Sequence, residues 1–117
     1  MQRQGWGQIP DGSSLQATFT GSDQNFTVTG RATRDGQLVQ TYSHAELTNG
    51  INVALRQPHR YVVEVDVFFN GAASTTVTAT GGVQDSAGTP LGSPLNLSSS
   101  GINGDHDTFE LTALTQL

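Results

Sequence analysis

The sequence predicts an all-β fold, an antiparallel and jelly-roll-like β-sandwich of about eight short strands. Three observations predict it. Apolar and polar residues alternate with a period of two in segment after segment, the signature of half-buried strands. Turn-forming pairs punctuate those segments roughly every 8–12 residues, the spacing of a sandwich or jelly roll. Finally, small and neutral-polar residues dominate the 117-residue chain: 15 Thr, 14 Gly, 10 Ser, 10 Gln and 6 Asn, against 34% hydrophobic and 13% charged residues. That composition excludes a coiled coil or a long helical bundle. A chain of this length makes one domain and one core.

Residues 1–14 show no periodicity and read as an N-terminal arm, with Trp6 and Ile9 as its large apolar groups. The single sandwich domain then spans 15–117. Leu15–Thr20 is the first strand. From Asn25 to Arg34, Phe26, Val28, Gly30 and Ala32 alternate with Thr27, Thr29, Arg31 and Thr33, which is a second strand. Asp35-Gly36 follows, and the chain resumes extended from Leu38 to Ser43. An Asp-Gly pair between extended runs predicts a tight hairpin, because that turn needs positive φ. Ile51–Arg56 is a short strand that Pro58 ends, since proline has no amide to donate. Tyr61–Phe69 is the central strand. Tyr61, Val63, Val65, Val67 and Phe69 form its dry face, and Val62, Glu64, Asp66 and Phe68 its mixed face. Ser74–Asp85 is the next strand, with a bulge or bend expected at Gly81-Gly82. Leu91–Leu97 and Thr108–Leu114 complete the set, with a polar loop from Ser98 to Asp107 between them. No segment longer than two turns carries a helical period.

Charge excludes some partners. The net charge is -5, there is no Lys, and the five Arg (Arg3, Arg31, Arg34, Arg56, Arg60) are scattered. Nucleic-acid binders and anionic-membrane binders need basic clusters. No apolar run approaches a membrane span. Without cysteine there is no disulfide and no thiol chemistry. Met1–Gly7 lacks the apolar core of a signal peptide, so the chain is expected to be made in the cytoplasm or to have lost a leader.

Few residues suggest chemistry. His44, His59 and His106 occupy no two-ligand metal spacing. Ser43, His44 and Glu46 are the residue types of a triad, but no nucleophile elbow accompanies them, so they read as polar residues at strand ends. Asn103, Asp105 and Asp107 place three oxygen-bearing side chains in one polar loop, a candidate calcium site, although the pattern matches only part of a calcium-binding loop. Its plainer reading is a solvated hairpin turn, and no other cofactor is expected. Glu64 and Asp66 share one strand face. They read as edge-protecting or partner-facing charge rather than as a glycosidase pair. The T-x-T units at Thr18–Thr20, Thr27–Thr29 and Thr76–Thr80 suit strands, and they lack the single period of an ice-binding array. Trp6, Tyr42 and Tyr61 are the aromatics suited to stacking on a sugar ring. For Trp6, anchoring the arm in a partner groove competes with sugar stacking and with packing on its own chain.

Pro58 to Phe69, followed by Asn70-Gly71-Ala72, resembles the central strand of the tumour-necrosis-factor and complement globular-head jelly rolls. There a Pro-x-x-Tyr lead-in opens an alternating apolar strand. The Asn103-Gly104-Asp105 turn before a last apolar strand resembles that family's closing hairpin. The resemblance spans Ile51 to Leu117, and the family's wealth of core aromatics is missing. It implies a homotrimer with strand faces packed about a threefold axis, and no catalytic residues.

Two functions follow as expectations. The first is a non-catalytic structural or assembly protein, such as a phage virion decoration or tail component at a virion or extracellular surface. It would contact copies of itself or other structural subunits through Trp6, Ile9, Glu64, Asp66 and Phe68. The second is a carbohydrate-binding, lectin-like module using Tyr42 and Tyr61, with calcium assistance from the 103–107 loop. An enzyme is not expected.

Overall fold

The computed structural model describes residues 1–115. Among them are β1 (Gln2–Ile9), β2 (Ser14–Gly21), β3 (Phe26–Arg34), β4 (Gln37–Tyr42), α1 (His44–Asn49), β5 (Ile51–Ala54), β6 (Arg60–Phe69), β7 (Thr75–Gln84), β8 (Pro90–Gly101) and β9 (His106–Thr115). The strands form two packed sheets, ordered β1-β9-β6-β3-β4 and β5-β2-β7-β8. The expected all-β sandwich is what the chain forms, with nine strands among the described residues. The chain changes sheet at every connection except the β3–β4 and β7–β8 hairpins.

The core follows from the alternation. Tyr61, Val63, Val65, Val67 and Phe69 of β6 are all buried against the opposite sheet. Leu15, Ala17 and Phe19 of β2 face them, and Phe19 meets Phe109 of β9 edge-on, with ring centroids 5.4 Å apart. Asp35 and Gly36 both have positive φ (51° and 83°), as a two-residue hairpin turn requires. The bulge expected at Gly81-Gly82 is present as a register shift between Gly81 and Val83 against β8. Gly81 has φ 134°, and a Cβ there would lie 2.1 Å from the Gln16 carbonyl oxygen, so only glycine fits.

Three expectations need correction. Residues 2–9 do not form an aperiodic arm. They are β1, paired in parallel with β9 from Gln2↔Phe109 to Trp6↔Ala113. Every other strand pair is antiparallel. Trp6 and Ile9 are therefore core residues, 6% and 3% exposed, and not free anchors for a partner. The period is hidden because β1 carries glutamine at its other half-buried positions, Gln2 and Gln4, and because a bulge between Trp6 and Ile9, with Gln8 at φ 55°, shifts the parity. Second, the long polar loop from 98 to 107 shrinks. β8 continues to Gly101 and β9 begins at His106. Third, a six-residue helix, α1, connects β4 to β5. Its signal was Ser43-x-x-Glu46, a capping box whose two reciprocal hydrogen bonds are both made, while Leu47 buries the helix against the core.

Candidate functional site

A sandwich has two open sides, and this chain treats them differently. On one side β1 and β8, the edge strands of the two sheets, are stitched together by side chains. Trp6 Nε1 donates to the Ser93 carbonyl at 2.9 Å. Gln4 Nε2 donates to the Pro94 carbonyl at 2.8 Å, and Gln4 Oε1 accepts from the Asn96 amide at 3.2 Å. Gly92 has φ 64°, and a Cβ on it would stand 3.0 Å from Trp6 Cδ1, so glycine lets the indole reach β8. A groove of about 680 Å³ remains beside this seam, with no charged side chain in its lining.

The other open side, between the edge strands β4 and β5, is bridged by α1, and no side-chain hydrogen bond joins β4 directly to β5 among the described residues. It forms a groove of about 500 Å³ that brings together Tyr42 and Tyr61, the two aromatics singled out from the sequence. Arg34, Arg56, Gln40 and Asn52 join them. Register explains the gathering. Tyr42 pairs with Gly30, Gln40 with Ala32, and Arg34 with Tyr61, so all of these side chains project from the inner face of the five-stranded sheet where it overhangs β5. The two tyrosines differ in role. Tyr61 is 3% exposed, and its hydroxyl accepts from the Arg56 amide at 3.1 Å, so it is the floor of the groove. Tyr42 is partly exposed, and burial, helped by the charge of Glu46, raises its phenol above the ordinary value. It stays neutral at physiological pH.

The groove lining carries two cations and no carboxylate. The carboxylates around it are engaged elsewhere. Asp35 accepts from the Arg60 amide at 2.9 Å and meets His59 Nδ1 at 2.6 Å; the amide first, then the imidazole, hold it below the usual carboxylate range. Glu46 caps α1. Asp11 takes the Gln57 amide at 2.9 Å and stands 3.9 Å from Arg56. Arg34 makes no ion pair among the described residues. Arg34 was legible as a groove residue, because it sits two positions after buried Ala32 and shares its parity. Arg56, Gln40 and Asn52 gave no such signal, since their meeting depends on β5 docking beside β4.

Glu64, Asp66 and Phe68 lie on the outer face of the five-stranded sheet. There a row runs Arg3, Glu110, Glu64, Arg31 across β1, β9, β6 and β3. Two carboxylates directly opposite one another repel. Each is neutralised on its far side, Glu110 by Arg3 at 3.6 Å and Glu64 by Arg31. In the next row Asp66 accepts from Thr108 Oγ1 at 3.0 Å and lies 3.6 Å from His106 Nε2. Beyond it Phe68, 46% exposed, stacks on His106 with centroids 4.8 Å apart.

The calcium candidates are not brought together. Asp105 accepts from the Ile102 amide at 2.9 Å and closes its own turn, and the Asn103 amide donates to Gly71. Asp107 turns to Ser99, Gln2 and the amino terminus of Met1. Burial opposes its ionisation, but hydrogen bonds from Ser99, the Thr108 amide, the amino terminus and Gln2 prevail and lower its pKa to about 2. Among the described residues no three His, Cys, Asp or Glu side chains form a group able to hold a metal. Ser43 and Glu46 are consumed by the helix cap, while His44 Nδ1 accepts the Val28 amide at 3.1 Å, a β3 donor beyond the end of β4.

Comparison of the chain with protein families, with curated proteins and with solved structures finds no match.

Proposed function

We propose that the chain is a non-catalytic structural module that assembles with copies of itself, as a virion decoration or tail subunit does. The observation that carries this reading is the outer face of the five-stranded sheet. Phe68 is exposed there on a central strand, stacked on His106, and the row of charges two rows along the same face already neutralises itself. Aromatic side chains, phenylalanine among them, are enriched in the buried centres of protein interfaces. Charges paired within the chain cost less to cover than free ones. Packing of such faces about a threefold axis, as the family resemblance implies, is one such assembly.

Sedimentation over a wide concentration range tests it. The parent chain is expected to form a defined oligomer. Phe68→Ser should raise its dissociation constant at least about tenfold, the effect of losing an interfacial aromatic. A parent chain that stays monomeric at all concentrations overturns the reading.

The β4–β5 groove favours a second reading, saccharide binding. A partly exposed tyrosine flanked by the Gln40 and Asn52 amides offers a stacking surface and paired donors and acceptors for ring hydroxyls. In this form the reading makes no use of the Asp105–Asp107 turn.

A further inference from the structure

We propose that the β4–β5 groove selects a carboxylate-bearing saccharide, held by Arg34 and Arg56 in the groove that Tyr42 also lines. The inference rests on the saccharide reading and adds the charge that reading leaves open.

Charge is the first argument. The chain carries a net charge of -5, yet the groove lining holds two arginines and no acid. Arg34 is without an ion pair among the described residues, and the Asp11 that approaches Arg56 also serves the Gln57 amide. Arginine presents a planar fork of donors that matches a carboxylate in two parallel hydrogen bonds. In an acidic protein two such forks in one concavity attract anions locally and repel them elsewhere.

Geometry is the second. Arg34 pairs in register with Tyr61, and Tyr42 lies on the neighbouring strand, so one arginine and the tyrosine rise from the same sheet face. Arg56 comes from the opposite sheet, two residues after β5, where its backbone amide donates to the Tyr61 hydroxyl and its guanidinium stands 3.9 Å from Asp11. The two arginines therefore stand at the Tyr61 end of the groove, and Tyr42, paired with Gly30, lies two inward-facing positions along the sheet. The contrast with the opposite open side is the third argument. There Gln4 and Trp6 spend their polar atoms on β8. Here Arg34, exposed at the end of its strand with Asp35 as its charged neighbour, makes no side-chain hydrogen bond or ion pair among the described residues.

The test is titration of the chain with the dimer of galacturonic acid and with its methyl ester, which keeps rings and hydroxyls but removes the charge. Calorimetry and amide chemical shifts are the readouts. The acid is expected to bind at least about tenfold tighter than the ester, and to shift the amides of β4 and β5. Raising the salt concentration should erase much of the difference. Arg34→Gln, at an exposed position, should remove most of the preference without changing the melting temperature. Acid and ester binding equally would overturn the inference and leave the saccharide reading standing. Binding of neither would overturn both. Binding of a short glutamate peptide as tightly as the dimer would show anion capture without sugar recognition, and would likewise overturn the inference.

Discussion

Trp6→Ala tests whether the first strand belongs to the core. The indole is 6% exposed and covers the seam between the two sheets, with Gly92 beneath it and Nε1 bonded to Ser93. Burying a tryptophan removes roughly 200 Å² from water, or about 5 kcal/mol at 25 cal/mol per Å². A compact denatured state reduces that to about 3–4 kcal/mol. The Ser93 carbonyl then loses its donor, adding about 1 kcal/mol. The expected loss is thus about 4–5 kcal/mol, a large part of the roughly 5–15 kcal/mol that holds a typical domain. Trp6→Phe retains most of the packing and loses the hydrogen bond, so it should cost about 1–2 kcal/mol. Urea unfolding followed by far-ultraviolet circular dichroism measures both, since Trp6→Ala removes the only tryptophan and its fluorescence. A Trp6→Ala midpoint equal to that of the parent would refute the reasoning, because it would mean that β1 adds nothing to the fold.

Asp107→Asn should lower stability at pH 7 by about 1 kcal/mol, the worth of holding the carboxyl down at about 2 once solvent screening is discounted. The folded state depresses this pKa, so the contribution is complete above the ordinary carboxylate range and is lost as pH falls through about 2. Denaturation curves of parent and variant should therefore converge in strong acid, and a difference independent of pH would contradict the assignment. Gly81→Ala should cost about 3 kcal/mol or more, because the added Cβ meets the Gln16 carbonyl at 2.1 Å. Gly88→Ala, also at positive φ but with nothing within 4 Å, should cost only about 1 kcal/mol. Thermal melting compares the pair, and equal losses would discount the clash.

Much of this molecule was legible because local alternation controls it. The buried face of β6, the Asp35-Gly36 hairpin and the Gly81 bulge all follow from residues within a few positions of one another. What was hidden depended on distant partners. The Trp6 strand looked like an arm, because its Gln4 finds its partners some 90 residues away, on β8. The helix after Ser43 was too short for a periodic signal and was written only in its cap. Asp105 and Asp107 stand two positions apart in sequence, yet each found its own hydrogen bonds and they did not converge.

The sequence by itself determined that this chain is a sandwich and which face of its central strand is dry, since a period of two needs no knowledge of the partner strand. Only the tertiary structure decided which sandwich edge is sealed and which is open. That choice rests on side chains from separate strands meeting across the two sheets, Gln4 and Trp6 with β8 on one side, Tyr42 and Arg34 beside β5 on the other. Contacts of that kind are set by how the sheets stack, and no local pattern encodes them.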